Sequence, residues 1–261
     1  INLNNIEGIF SFRFPRPLVT SCYFFWGIYL TLIYYKNEKF DLINFLYLGL
    51  CFSLVLVSYY YNFINLLILI FLILFTKILS NKNYFKNNFL YILYSILVFL
   101  LFTIPFIYLY LISEKDFSSM IGVITLNNDL KLELLSYFLT KLFSLKFVLT
   151  FLLITFSRFF LIKSQNQVNH KVINFFYYLF LASIFSPFFF TIISPSISEI
   201  YHFLNWIVII SVFVFVIYFS FFLNFMSKNF LTQSIKIYNS FFVLLSIFLI
   251  FIFQFLNYQK V

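Results

Sequence analysis

Residues 89–112 read FLYILYSILVFLLFTIPFIYLYLI, a run of 24 residues in which no side chain is charged. A helix of about 20 apolar residues is long enough to cross the hydrocarbon core of a bilayer. We therefore predict a membrane-spanning helix here, kinked at Pro105 because proline cannot donate the backbone hydrogen bond of a helix. Lipid offers no partners to backbone polar groups, so a span of this kind has to be helical.

The whole chain has the same character as this run. Its 261 residues are 63% hydrophobic and 10% charged, with a mean hydropathy of +1.01. A soluble domain has about 25% charged residues, so lipid must be the solvent for most of this surface. Further apolar runs occur near 18–35, 42–61, 63–79, 143–163, 172–193, 203–225 and 238–256. The predicted fold is an all-α, polytopic transmembrane helix bundle with about seven, or eight, spans.

The count depends on residues 42–79, where the apolar stretch is interrupted only near 59–62 and at Asn65. These residues could form two short spans, a span followed by an interfacial helix, or one long tilted helix. The remaining connections are short, apart from a long loop at 113–141. We predict a single membrane domain over 1–261, with the first two spans at about 18–61 and the remaining bundle at about 89–256.

The positions of the charged residues indicate no proton path through the membrane. All eight carboxylates fall outside the interiors of the predicted spans. Ion and proton pathways in membranes require ionisable residues inside the spans. The formal charge of +9 comes largely from lysines that flank spans, where they can contact lipid phosphates. We therefore expect membrane lipids, and no nucleic acid, as partners.

The residues that usually hold cofactors are scarce. The chain has two histidines, His170 and His202, and two cysteines, Cys22 and Cys51, with no metal-ligand or disulfide spacing among them. Haem or copper sites need facing histidines or a His, Cys and Met cluster. We expect no catalytic residue, no bound cofactor other than phospholipid, and no metal in this chain, which is the pattern of a non-catalytic subunit.

Two arginines are candidates for contacts with lipids or partners. Arg16 stands between two prolines immediately before the first apolar run. Arg158 lies close to a membrane core, five residues before Lys163. Arg158 could be the essential arginine of the proton-channel subunit of ATP synthase, or an arginine that extends to the interface from the last turns of its span. The residues after it lack the channel subunit's Asn and Gly-His pattern, which favours the interfacial interpretation.

The residue composition also suggests where the chain is made. It contains 45 Phe and 20 Tyr, and Asn, Ile and Lys are frequent as well. All five residue types have AT-rich codons. An extremely hydrophobic protein from an AT-rich genome suggests an organelle, and we expect the mitochondrial inner membrane.

Five stretches, in order, resemble subunit III of the haem–copper cytochrome c oxidases. Phe14–Leu18 is similar to the Ser-Pro-Trp-Pro-Leu segment before that family's first span, with Arg16 in place of the tryptophan. Leu48–Leu50, residues 122–135 and Ile154–Phe156 stand where the family has its Leu-Gly-Leu, its Gly-Ile to Leu-Leu loop and its Ile-Thr-Trp segment. His202–Ser211 is similar to the family's His-Gly-Leu-His-Val-Ile-Ile-Gly-Ser. The chain differs in lacking the family's glutamate in the third span.

The resemblance implies an accessory core subunit of mitochondrial cytochrome c oxidase. Such a subunit packs against the catalytic subunit I and other oxidase subunits, binds phospholipids, and leaves haem a and copper to its partners. It adds His202, which matches a histidine of the family, to Arg16 and Arg158 as candidates for lipid or partner contacts. Two alternatives stay open: the proton-channel subunit a of ATP synthase, and a small membrane-arm subunit of respiratory complex I.

Overall fold

The computed structural model describes residues 15–36, 41–58, 60–81, 83–112, 124–125, 127–164, 167–193, 196–197 and 201–230. Eight helices lie in these residues: α1 Pro15–Lys36, α2 Leu42–Ser58, α3 Tyr60–Ser80, α4 Tyr84–Ile112, α5 Asn128–Leu142, α6 Leu145–Ser164, α7 Gln167–Ile193 and α8 Tyr201–Phe230. A two-residue antiparallel pair joins β1 (Ile124–Thr125) to β2 (Ser196–Ile197). Each predicted span that falls in the described residues corresponds to a helix. The predicted span at 238–256 lies outside them.

The predicted helical membrane bundle is confirmed. Among the described residues, five segments are long and apolar enough to cross a membrane: Tyr61–Ser80, Tyr84–Tyr108, Leu145–Lys163, His170–Ile193 and Trp206–Leu223. α2 is equally apolar but has only 17 residues. The chain is thus a multi-pass membrane protein, and its total of seven or eight spans stays a prediction.

The chain forms two compact units. Unit 1 comprises the described residues up to Leu132 together with Phe185–His202, and unit 2 comprises Glu133–Ile184 and the described residues from Phe203 onward. The boundaries between them fall inside α5, α7 and α8. The single membrane domain predicted over 1–261, with its first two spans at about 18–61 and the remaining bundle at about 89–256, stays a prediction.

Aromatic side chains join the first four helices of unit 1. Tyr34 of α1 meets Phe45 of α2 edge to face, with ring centroids 5.6 Å apart. Phe45 in turn stacks on Tyr91 of α4 at 5.7 Å. Aromatic pairs of this kind contribute beyond the area they bury. They set the register in which α2 and α4 run side by side.

The apolar stretch at 42–79 forms two helices that fold back on each other. In one continuous helix, Phe52 and Phe63 would be about 16 Å apart along the axis. Their ring centroids are instead 6.0 Å apart, and Phe63 also stacks on Phe99 of α4 at 5.7 Å. One long tilted helix is therefore excluded. α2 ends at Ser58 and α3 begins at Tyr60, so the two helices meet where the polar sequence interrupts the apolar run.

Two glycines mark the closest helix contacts in unit 1. A Cβ atom built on Gly49 of α2 would overlap the carbonyl oxygen of Ser95 of α4, and it would lie 3.0 Å from the Ser95 carbonyl carbon. On Gly27 of α1, the built Cβ would lie 2.6 Å from Leu66 Cδ1 and 3.3 Å from Cys51 Sγ. Small residues allow membrane helices to approach closely. α2 and α4 therefore pack backbone to backbone at Gly49.

Two asparagines of α3 are completely buried in unit 1. Asn62 and Asn65 are both 0% exposed. Asn65 Nδ2 donates a long hydrogen bond of 3.4 Å to the Tyr61 carbonyl. Within the described residues, neither polar atom of the Asn62 amide has a hydrogen-bond partner, and neither does Asn65 Oδ1. A buried amide without a partner is unfavourable, so this position destabilises the folded chain.

The long loop predicted at 113–141 is wrong in its second half, where α5 forms. Asn127 Oδ1 accepts a hydrogen bond from Leu130 N at 2.8 Å and caps the start of the helix. Asp129 lies in the first turn and Lys141 in the last, so both charges complement the helix dipole. These local interactions form a helix in a stretch too polar to be recognised as a span.

Unit 2 is built from α6, the first part of α7, and α8, together with most of α5. Phe151 of α6 packs on Phe180 of α7 at 5.9 Å, and Phe176 of α7 packs on Phe213 of α8 at 5.8 Å. α6 and α8 therefore run parallel to each other, with the antiparallel α7 contacting both. This arrangement brings Arg158 of α6 to the side of α7.

Candidate functional site around Arg158

Arg158 lies in the C-terminal half of α6 and turns towards α7. It is half-buried, and its Nε donates a hydrogen bond of 2.9 Å to Asn174 Oδ1. Asn174 lies one turn before Tyr177 on α7, so both residues share one face of that helix. An arginine near a span end can extend to the interface unaided. Here the side chain is instead attached to a neighbouring helix.

Aromatic rings complete the site. The guanidinium carbon of Arg158 lies 4.6 Å from the centroid of the Tyr177 ring and 5.5 Å from that of Phe159. A guanidinium over an aromatic face is attracted by the ring quadrupole, more strongly where water is depleted. The Tyr177 hydroxyl lies 3.3 Å from Thr155 Oγ1, which orients the ring from α6. The charge is thus stabilised by an amide and by π-faces.

α8 is joined to the same part of α7. Tyr218 is 2% exposed, and its hydroxyl donates a hydrogen bond of 2.8 Å to the Ile173 carbonyl, next to Asn174. A buried tyrosine hydroxyl requires a partner, and this one finds it on the adjacent helix. The contact fixes α8 against α7 where α7 holds Arg158. The Arg158 site therefore depends on three helices of unit 2.

This geometry gives the site a fixed positive charge, and no carboxylate of the described residues is among its contacts. The contacts described for Arg158 are one amide oxygen and two rings. The three carboxylates in the described residues, Asp41, Asp129 and Glu133, are all exposed and lie outside the five span segments. An arginine side chain stays protonated in proteins. The site is suited to electrostatic positioning of an anion or of a neighbouring chain.

The described residues do not show the three candidates Arg16, Arg158 and His202 as one cluster. Arg16 is the second residue of α1, and His202 is the second residue of α8. Their side chains lie outside the described part of the structure. Only Arg158 has a described environment. Its partners Asn174 and Tyr177 were not predicted, although polar residues three apart on an apolar helix are a signal that could have indicated them.

A second cation site, also not predicted, lies at one end of unit 1. Lys77 Nζ of α3 is 4.4 Å from the Tyr34 ring centroid and 4.9 Å from that of Tyr84. Lys77 is half-buried in the last turn of its helix, where a positive charge complements the dipole. As at Arg158, aromatic faces surround the charge. Both arrangements stabilise a cation near a span end.

Metal ligation finds no support in the part of the chain that the structure describes, where no group of three or more His, Cys, Asp or Glu residues could hold an ion. Cys51 is buried and donates to the Tyr23 carbonyl at 3.2 Å, whereas Cys22 is exposed. His170, predicted in a polar loop, lies instead in the first turns of α7. Cys22, Cys51 and His170 therefore do not form a group of metal ligands.

Comparison of the chain with models of protein families, with curated proteins and with solved structures finds no match.

Proposed function

We propose that this chain is an accessory, non-catalytic membrane subunit of mitochondrial cytochrome c oxidase, located in the mitochondrial inner membrane. The proposal starts from the ordered resemblance of five stretches to subunit III of that enzyme. In this role the chain packs against the catalytic subunit I and binds phospholipids. Haem a and copper belong to the partner subunits.

One structural observation supports a subunit that works through its surface. In the Tyr84–Tyr108 segment only Tyr84 and Thr103 are buried within the chain, and in Leu145–Lys163 only Ile154 and Leu161. These helices present leucine, isoleucine and phenylalanine outward along their length. Apolar faces of this extent are covered by lipid or by neighbouring membrane subunits. A large outer surface with no relay of ionisable groups in the described spans fits a supporting role.

The expected result of isolating the chain with its partners is an oxidase spectrum. The full chain is tagged, purified from mitochondrial membranes in mild detergent, and examined by reduced-minus-oxidised absorbance. Haem a absorbance is expected to co-purify in constant ratio to the chain through a second, orthogonal column. Material from untagged membranes is the control. A purified complex without haem a contradicts the oxidase assignment, and its other subunits then distinguish ATP synthase from complex I.

A second candidate, the proton-channel subunit a of ATP synthase, has one observation in its favour. Arg158 is a half-buried, permanently charged residue in a span, and no carboxylate is among its described contacts. Such a residue is the feature that faces the rotor carboxylates in that enzyme. However, the guanidinium is engaged by Asn174 and Tyr177 of its own unit, which favours a structural role.

Arg158→Gln separates the two candidates. We expect the variant to leave ATP-driven proton pumping in inverted membrane vesicles unchanged, because Arg158 then serves only to join α6 to α7. The matched control is Lys163→Gln, which removes an exposed charge from the last turn of the same helix. Pumping that is abolished by Arg158→Gln but not by Lys163→Gln, with the complex still assembled, would establish the channel function and exclude the oxidase role.

A further inference from the structure

An apolar groove runs between α6 and α8 on unit 2. It has a volume of about 510 Å³, within the range of about 300–1,000 Å³ typical of ligand pockets. Thr150 and Leu153 line it from α6, and Leu204, Ser211 and Phe215 line it from α8. We call this feature the α6–α8 groove. It lies within one unit and does not include the Arg158 site.

The described walls of the groove are mostly apolar, and the two hydroxyls on its helical walls donate their hydrogen bonds within their own helices. Thr150 Oγ1 donates to the Lys146 carbonyl of its own helix at 2.8 Å. Ser211 Oγ donates in the same way to the Ile207 carbonyl at 2.5 Å. Neither hydroxyl proton is thus available to an occupant, and most of the remaining wall is apolar side chain. The groove is therefore suited to a hydrocarbon chain.

The length of the groove matches one leaflet of a bilayer. From Leu204 to Phe215 the α8 wall extends about 16 Å at the rise of an α-helix. Half of a hydrocarbon core is about 15 Å thick. α6 and α8 run parallel, and the groove follows the first half of each. It thus begins at the membrane interface where both helices begin, and it ends near the midplane.

The mouth of the groove is positively charged. Lys141, at the end of α5, and Lys146, in the first turn of α6, both line it, and both side chains are exposed. α6 begins after Ser144, whose carbonyl accepts the first helical hydrogen bond from Val148 N at 3.0 Å. The first backbone N–H groups of α6 therefore have no partner within the helix. Of the two acidic residues of α5, Glu133 is the nearer to Lys141 in sequence, and it lies about 12 Å away along the helix axis.

We propose that the α6–α8 groove binds one acyl chain of an anionic phospholipid, with the phosphate headgroup between Lys141 and Lys146. The inference rests on the phospholipid binding included in the proposed function, and it names the site and the charge of the headgroup. A zwitterionic lipid satisfies the apolar interior equally well. The two ammonium groups and the helix start favour a net negative headgroup.

Tryptophan quenching by brominated lipids tests the proposal. The chain has two tryptophans: Trp206, which precedes the groove residue Ile207 on α8, and Trp26 on α1. The full chain carrying Trp26→Phe, which leaves Trp206 as the only tryptophan, is placed in phosphatidylcholine nanodiscs. Acyl-brominated phosphatidylglycerol or brominated phosphatidylcholine then replaces an increasing fraction of the lipid. We expect saturable quenching, with half-saturation at a fraction about threefold lower for phosphatidylglycerol.

Matched variants assign the preference to the groove. The double variant Lys141→Gln/Lys146→Gln is expected to equalise the two lipids, and Lys146→Gln alone to reduce the difference. Lys163→Gln, at the far end of α6, is expected to preserve it. Val212→Phe, which fills the groove, is expected to remove saturable quenching by both lipids while helix content by circular dichroism stays unchanged.

Four results would overturn the proposal, three of them concerning the preference for phosphatidylglycerol. These are equal quenching by both lipids in the parent, a preference that survives the double variant, or loss of the preference in Lys163→Gln to the same extent. Absence of quenching by either lipid would mean that something other than lipid covers the groove, which also overturns it. The haem a measurement is independent, so failure of the oxidase assignment and failure of the lipid site can be told apart.

Discussion

Gly49→Ala is expected to destabilise the folded chain by roughly 3 kcal/mol, the upper part of the range for overpacked cores. The new methyl group would collide with the Ser95 carbonyl oxygen and would lie 3.0 Å and 3.2 Å from the Ser95 carbonyl carbon and Cα. All three are backbone atoms, so no side-chain rotation can relieve the collision. α2 and α4 must move apart, and the stacking of Phe45 on Tyr91, one turn away, weakens with them.

The measurement is thermal unfolding of the full chain in detergent, followed by circular dichroism, with an expected fall of roughly 5–10 °C in the midpoint. Gly27→Ala is the matched control, because its Cβ would meet the end of a leucine side chain, Leu66 Cδ1, which can change rotamer. We expect the control to lose about 1 kcal/mol or less. Equal losses of stability in the two variants would show that the backbone contact of Gly49 with Ser95 is no tighter than the contact of Gly27 with the Leu66 side chain.

Asn62→Leu is expected to stabilise the chain, by about 2 kcal/mol. The side chain is fully buried, and neither polar atom has a protein partner within the described residues. Leucine has the same branching pattern as asparagine and removes the cost of burying an unpaired amide, which is about 1–3 kcal/mol in proteins. Asn62 lies on the buried face of α3 together with Leu66 and Leu69, so an apolar side chain fits its surroundings.

Asn65→Leu is the matched comparison for this prediction. Asn65 is equally buried, but its Nδ2 donates to the Tyr61 carbonyl at 3.4 Å, so its replacement loses a hydrogen bond as well as an unpaired oxygen. We expect a smaller gain than at Asn62 in the same unfolding assay. A less stable Asn62→Leu chain would contradict the prediction and would mean that the amide is hydrogen-bonded in the membrane.

Apolar length was sufficient to predict most helices of this fold, because only a helix satisfies its backbone in lipid. It failed where helix formation depends on local polar chemistry. α5 has too few apolar residues for a span, but Asn127 caps it and Asp129 follows in its first turn. Those capping residues are readable in the sequence. The sequence alone does not predict the reversal between α2 and α3, because Tyr and Asn near residue 59 are compatible with a turn, a tilted helix or a membrane interface.

The candidate site was predictable only as a position. Arg158 attracts attention because a charge near a membrane core is costly. Its partners are set by the antiparallel register of α6 and α7, which also pairs Phe151 with Phe180. That register is a tertiary property, and single-sequence reasoning cannot obtain it. The close approach at Gly49 is similar, because the sequence shows the glycine but not that Ser95 lies opposite.

The boundary inside α7 has a consequence for biogenesis. Tyr61 of α3 packs on Phe190, with ring centroids 5.6 Å apart, and β1 pairs with Ser196–Ile197. Both partners leave the ribosome only after residues 133–184, which belong to unit 2. The first four helices are therefore inserted before unit 1 can close. During that interval unit 1 lacks its contacts with Phe190 and with Ser196–Ile197, and a chain interrupted at residue 184 would lack them permanently.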